Sequence, residues 1–439
     1  LESSFIIGTN LGFDCKFAFK EGIILRKVYD CMIVEQLLYL GFPNFMVGAS
    51  QDTIDSYCQA VEDCPNWDTM NSKQKSSYVN QIVPEVAEFI TYHSGVGLKA
   101  LCYRYLNEDM DKSVRGEIIW RGIDDTTVLY GAGDVKPLYR IMQAQLKILR
   151  QRDSVRAAKV DCDFVPVKAY YEWCGVHMNV PLWQKKMQQD EEKMNTALKR
   201  LNEFVINFGD ARFFKVNLQG DLWEGFDTTP VCTINWNSAK QVIPFLTALG
   251  FNCKGIDKKT KEEKDSIDAS VLKPQKDVNP DFYEVYLAYT EAHKVCTTYG
   301  QNYLNAINPK TNRVHTQFRS LGTDTGRLAC GSQQQNTSLA KLKGLPLKAP
   351  KDPKLKCAYP QLQNLPADEI TRACFCAEDG NTWISRDYKG QESVLMADFS
   401  QDKAMLDVFQ KGEDMHSTVA YMIFPNDIPR DTPIKEIKS

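Results

Sequence analysis

The chain has 439 residues, too many for one compact core, and about 150 residues per domain sets an expectation of two to four domains. Hydrophobic residues make up 43% and charged residues 25%, ordinary globular proportions, and no apolar run approaches the roughly 18 residues of a membrane span. The formal charge of −3, from 53 Lys+Arg against 56 Asp+Glu, excludes a global polycation, so any affinity for a polyanion must come from local clusters.

The opening LESSFIIGTN has neither a basic region nor a small-residue cleavage site, so no targeting signal is expected, and with Leu1 as its first residue the true start is expected upstream. SSFIIGTN reads as a short apolar strand, and VYDCMIVEQLLYLG carries apolar residues at helical spacing, together suggesting an α/β layer. Residues 41–93 read as an insertion, after which GLKALCYRYL resumes a helical pattern. YGAGDVKPLYRIMQAQLKILRQ reads as one amphipathic helix with Val135, Leu138, Met142, Leu146 and Leu149 on one face, closing a first domain at about residue 155. A long charged helix follows, with an apolar stripe at Met187, Met194, Leu198 and Leu201, suited to a thin projection. KGIDKKTKEEKD (254–265) reads as its exposed tip.

EVYLAYTEAHKVCTTYG is a further helix, and RVHTQFRSLGTDTGRL and TRACFCAEDGNTWISRDY are strand-like. The closing segment is helical until PNDIPRDTP breaks it. Between Lys341 and Lys356 six lysines (341, 343, 348, 351, 354, 356) face one acid, Asp352, and Pro346, Pro350 and Pro353 interrupt the run. That composition predicts a basic loop, either a solubilising insertion or a phosphate contact whose affinity falls with salt. The 14 cysteines lie singly, Cys374 and Cys376 being closest, and no CxxC occurs. Zinc-type pairing is missing, so reduced thiols in an intracellular protein are expected.

The most informative stretch is NTWISRDYKGQESVLMADFSQD. A strand over Thr382–Arg386 would deliver Asp387 at its end, with a turn and a helix starting near Gly390. A rigidly held carboxylate suits a metal ligand, although a lone aspartate at a strand end is more often structural. Nucleotidyl transfer uses two divalent ions about 4 Å apart to stabilise the attacking and leaving oxygens.

DYKGQE resembles the DYSQIE motif of family A DNA polymerases, the bacterial DNA polymerase I type. Four further segments follow the family's order: TDTGRL (Thr323–Leu328) resembles TxTGRL, LQNLP (Leu362–Pro366) resembles LQNIP, TRACF resembles IRxAF, and GEDMHSTVAYMIF resembles GxDIHxxTAxxxF. The resemblance implies that Asp387 binds two Mg²⁺ ions, with the Tyr388 carbonyl as a further ligand. Glu392 would be a steric gate that rejects a ribose 2′-hydroxyl by clash. Tyr388, Gln391, Glu392 and His416 would face the incoming dNTP. Arg327 would reach the minor groove at the primer terminus, where base pairs present similar acceptors, and Gln363, Asn364 and Arg372 would hold the primer-template DNA. The departures are TGRLAC for TGRLSS, the basic insertion at about 331–359, and Lys389-Gly390-Gln391 for Ser-Gln-Ile.

NLGFD (Asn10–Asp14) resembles the second 3′–5′ exonuclease motif of the same family, NxxFD, and Tyr130 with Asp134 fits the third, YxxxD. Four residues apart on a helix, the last two share a face, so the tyrosine could position a water against a metal. Asp14, Tyr130 and Asp134 would then be catalytic, with both aspartates as metal ligands. In the thumb, TINWNSAKQV and KVCTTYG resemble SxxQ and KxxSTY. Lys294, Thr297 and Tyr299 would either touch the duplex backbone or pack a helix end.

The implied fold class is α+β: an RNase H-like α/β exonuclease domain at 1–155, a helical thumb at 156–305, the first part of an antiparallel-sheet palm at 306–410 and the start of the fingers at 411–439. The first exonuclease motif would precede Leu1, and the fingers and second metal-binding aspartate would follow Ser439. The chain is therefore expected to be a fragment, or one piece of a split polymerase completed by a second chain, and the insertions suggest a viral branch. Two other readings stand beside a proofreading polymerase: a 3′–5′ exonuclease with a relict palm, and a non-catalytic primer-template binding subunit.

Overall fold

Asp30 organises the start of the chain. Strands Phe5–Gly8 and Lys27–Asp30 pair in parallel, and a parallel pair needs a long crossover, supplied here by helix Leu11–Lys20. At the end of the second strand the Asp30 carboxylate, 1% exposed, caps helix Cys31–Leu38 by accepting from Met32 N (3.0 Å) and Ile33 N (3.4 Å). It also accepts from Asn10 N (3.0 Å) and Leu11 N (2.7 Å), binding the crossover's first turn to the strand end. The stretch VYDCMIVEQLLYLG is thus strand for its first three residues and helix only from Cys31.

The computed structural model describes residues 3–216, 229–256, 263–323, 325–348 and 355–424, with 220–221, 225–226, 352 and 428. The fold is α+β and mostly helical, in two units, Leu1–Cys376 and Ala377–Ser439.

In the first unit, helices Leu98–Leu106, Leu138–Gln151 and Val155–Cys174 pack around helix Cys31–Leu38 and the strand pair. The single helix expected across residues 130–151 is instead two, Asp125–Val135 and Leu138–Gln151. Pro137 lacks an amide hydrogen and cannot continue the ladder, so the chain reorients there and Val135 is left 65% exposed rather than on the buried stripe. Buried Glu35 is held by Arg104, by Tyr105 Oη (2.7 Å) and by Gln145 Nε2 (2.7 Å). Arg104 also donates to the carbonyls of Val47 (2.8 Å) and Gly95 (3.1 Å), fastening both ends of the insertion to the core. Within the insertion, helices Gln51–Glu62, Ser72–Ile82 and Pro84–Glu88 form a small cluster of Val79, Val86 and Ala87, flanked by Tyr57 and Trp67.

Helix Val180–Phe208, capped by Asn179, packs along helix Pro280–Asn305, capped by Asn279. Their shared core includes Leu201, Val205, Trp236, Val242, Phe245, Phe282 and Tyr286, with Met194 and Leu198 of the expected stripe at its edge. Strands Lys254–Ile256 and Glu263–Asp265 pair in an exposed hairpin, and residues 257–262 of the expected tip lie outside the described residues. The strand-like stretch after residue 306 forms short antiparallel pairs: Ile307–Asn308 with Arg313–Val314, which also pairs Val176–His177, then Phe318–Arg319 with Ala329–Cys330, and Ser332–Gln335 with Ala358–Tyr359. TRAC is not strand but the helix Glu369–Cys374, because Asp368 caps it through Thr371 N (2.8 Å) and Thr371 Oγ1 (2.6 Å).

Among its described residues the second unit carries three helices, Gln391–Ser400, Lys403–Gln410 and Met415–Ile423, the last two capped by Asp402 and Asp414. The strand expected over Thr382–Arg386 does not form. A strand is held only by hydrogen bonds to a neighbour, and among the described residues of this unit there is no other strand to supply them.

Candidate active site

The DYKGQE segment turns into a helix at Gly390. Its φ of 63° lies in the left-handed region, which explains a glycine at this position: helix Gln391–Ser400 begins immediately after it. Asp387 precedes this turn in irregular, solvent-exposed backbone, and Tyr388 is 79% exposed. Glu392, in the first helical turn, and Gln391 are also exposed. From the other side comes the GEDMH segment, where Asp414 caps helix Met415–Ile423 by accepting from Ser417 N (3.0 Å) and Ser417 Oγ (2.9 Å). The two segments meet across a cavity of about 430 Å³ lined by Lys389, Gly390, Ser393, Phe409, Asp414 and His416. The fold thus brings His416 to the DYKGQE turn, and it adds a lysine, Lys389, to the same wall.

In the first unit two of the expected segments are brought together. Arg327 is exposed on a loop closed by Thr323, whose Oγ1 accepts from Arg327 N (2.9 Å) and donates to Arg327 O (3.3 Å). Gln363 Nε2 donates to Leu328 O (3.1 Å), so the LQNLP and TDTGRL segments are joined directly. Asn364 is exposed, and its carbonyl accepts the hydroxyl of Tyr299. Arg372 is exposed on the short helix Glu369–Cys374, and Lys294 and Thr297 are exposed on helix Pro280–Asn305. Lys343 of the basic stretch turns inward. Its Nζ donates to Asn305 O (2.7 Å), and burial lowers its pKa, while Lys341, Lys348 and Lys356 are exposed and Lys351 and Lys354 lie outside the described residues.

The third group lies among the first helices. Asp14 is on the exposed side of the first turn of helix Leu11–Lys20, where burial of the surrounding chain pushes its carboxyl above the ordinary value against an opposing backbone hydrogen bond. Tyr130 and Asp134 share helix Asp125–Val135 and line a cavity of about 590 Å³ with Cys102, Glu108, Asp109 and Arg140. Lys112 donates to Asp134 Oδ1 (2.5 Å) and sits 5.3 Å from the centre of the Tyr130 ring. Asp14 is not among the residues lining that cavity.

Metal fit can be tested on the donors themselves. Among the described residues no three His, Cys, Asp or Glu side chains converge in a way that would hold a metal ion, either around Asp387 or around Asp14 and Asp134. The donors among the described residues are therefore too few for a two-ion site. No described helix is long and apolar enough to cross a membrane.

Sequence reasoning missed the residues that hold these segments in place. Asp30 fixes the NLGFD turn, Tyr303 hydrogen-bonds the carbonyl of Gln361, and Lys112 occupies Asp134. The only sequence signal for any of them was the capping pattern of an aspartate before CMIVEQLL.

Residues 224–342 and 351–433 match DNA polymerase family A. A segment of 172 residues is 34% identical to DNA polymerase I of Caldicellulosiruptor bescii, covering 38% of this chain and 17% of that one. Another of 203 residues is 30% identical to DNA polymerase I of Borreliella burgdorferi (45% and 19%), and one of 180 residues is 30% identical to the thermostable DNA polymerase I of Thermus aquaticus (40% and 18%). The matched segments thus span less than one fifth of these bacterial relatives. In three dimensions the chain resembles the POL domain of Pol1 from M. smegmatis, solved in complex with DNA primer-template and dNTP, with a TM-score of 0.53 and 20% identity over 78% of this chain and 48% of that one.

Proposed function

We propose, from the match to DNA polymerase family A, that the chain is a member of that family and carries part of the machinery of a template-directed DNA polymerase acting on primer-template DNA and dNTPs. The observation that carries the reading is the cavity in the second unit, where the DYKGQE turn and His416 meet. Lys389 and His416 on its lining, beside the acids Glu413 and Asp414, would meet the triphosphate of a nucleotide, and Glu392, exposed in the first helical turn, would exclude a 2′-hydroxyl. Asp387 would be one ligand of the two Mg²⁺ ions such chemistry uses. The described residues supply too few further donors, so the remaining ligands would come from the rest of the polymerase, on this protein or on a second chain. In the first unit, the Arg327 loop and the LQNLP segment, joined by Gln363, form a surface suited to a primer terminus.

A 3′–5′ exonuclease in the first part of the chain is the second reading, favoured by Tyr130 and Asp134 side by side at the rim of one cavity. The test is primer extension and 3′-end degradation by the complete polymerase. Asp387→Ala abolishes extension, by at least about 100-fold, and leaves degradation intact, whereas Asp14→Ala does the reverse. Extension that survives Asp387→Ala overturns the assignment. Degradation without any extension by the unaltered protein would favour an exonuclease with a relict palm.

A further inference from the structure

We propose that Tyr299 and Tyr303 are positioning residues that set the Arg327 loop through the LQNLP segment, making helix Pro280–Asn305 the reference from which the primer-terminus surface is placed. The consequence for synthesis rests on the polymerase reading; the tether itself does not.

The helix is interrupted at Gly300, whose ψ of −112° is not helical, and the indole of buried Trp183 donates to the carbonyl of Gly300 (3.2 Å). The kink is therefore pinned from the neighbouring helix and fixes the direction of the last turn and a half. Tyr299 and Tyr303 flank it, four residues apart and so on one face. Their rings are held at 6.0 Å from each other, and Tyr303 also lies 5.2 Å from Trp183 and 6.2 Å from Phe375. From that face the Tyr303 hydroxyl donates to Gln361 O and the Tyr299 hydroxyl to Asn364 O. Two carbonyls three residues apart are thus gripped by two phenols of one helix, which sets both the height and the tilt of the segment between them.

The segment passes the constraint on. Gln361 Oε1 accepts from Gln363 N (2.9 Å), and Gln363 Nε2 donates to Leu328 O (3.1 Å), the residue after Arg327. The Arg327 loop is closed by Thr323, which both accepts from and donates to the Arg327 backbone. Below the tyrosines, Lys343 binds the Asn305 carbonyl at the helix C-terminus, where a cation is favoured by the aligned peptide dipoles, so the basic segment is referenced to the same helix.

Tyr→Phe keeps ring packing and removes only the hydroxyl, which makes it the discriminating change. Amide hydrogen exchange in Tyr299→Phe, Tyr303→Phe and the double variant is expected to rise roughly tenfold over residues 325–328 and 361–366, with exchange in helix Val180–Phe208 unchanged. Unchanged exchange in both loops overturns the tether whatever the activity. In primer extension the double variant is expected to extend mismatched termini better relative to matched ones, about tenfold, because the arginine that inspects the terminal pair is no longer held. Loosened loops with unaltered mismatch discrimination overturn the positioning role. Absence of extension in the unaltered protein counts against the polymerase reading and leaves the exchange result to decide the tether.

Discussion

Individual residues show where chemistry and folding make opposite demands. Glu392 sits exposed in the first turn of its helix, at the N-terminal end where a carboxylate is favoured by a few tenths of a kcal/mol to about 1 kcal/mol, so its replacement costs the helix little beside what it would change in the site. Glu392→Ala is expected to raise ribonucleotide incorporation at least tenfold in a competition between dNTP and rNTP, and unchanged sugar discrimination would remove its gate role. Gly48 is the reverse case. With φ at 86° and the Arg104 guanidinium lying where a Cβ would stand, Gly48→Ala must push Arg104 away from the buried Glu35 carboxylate. Stranding a buried charge costs about 3 kcal/mol or more, readable as a lower midpoint in chemical denaturation, and a shift below 1 kcal/mol would show that the pair relaxes.

Single elements are decided by their ends. Pro137 divides what periodicity alone would make one helix, and Asp368 starts a helix where the residue types suggest a strand. Burial pushes the Asp368 carboxyl upward, but the hydrogen bonds from Thr371 outweigh it and hold the group below 3.8. A depressed carboxyl contributes stability that is complete above the unfolded value and is lost as pH falls through the folded one, so the Glu369–Cys374 helix should loosen only below about pH 3.8. Asp368→Ala should cost about 1 kcal/mol at neutral pH and remove that acid-dependent step, as followed by amide exchange at Thr371 and Arg372 across a pH series. An acid step that persists in the variant would assign it to another carboxylate.

For the molecule as a whole, burial is unevenly shared. The first unit has several extensive apolar clusters, whereas the described part of the second buries Ala397, Val408 and Ser417 and leaves Trp383, Ile384, Phe399 and Met422 more than half exposed. Local stability follows buried apolar area, so amides in helices Gln391–Ser400 and Met415–Ile423 should exchange roughly 100-fold faster than those in helix Val180–Phe208. Equal protection in native-state exchange would contradict this.

The sequence by itself determined what chemistry and local hydrogen bonding can write into neighbouring residues. The long apolar stripe ending at Leu201 and the ordered DYKGQE, TDTGRL and LQNLP segments were legible because each depends on residues a few positions apart. Tertiary structure alone decided what depends on partners far along the chain. The strand expected before Asp387 needed a neighbour and found none among the described residues, Lys343 turned from a solvent-facing cation into an anchor on Asn305, and Tyr299 became a ligand of the LQNLP backbone. The physical reason is that a helix satisfies its own backbone, while a strand, a buried lysine or a phenol tether is stable only when a distant segment completes its hydrogen bonds.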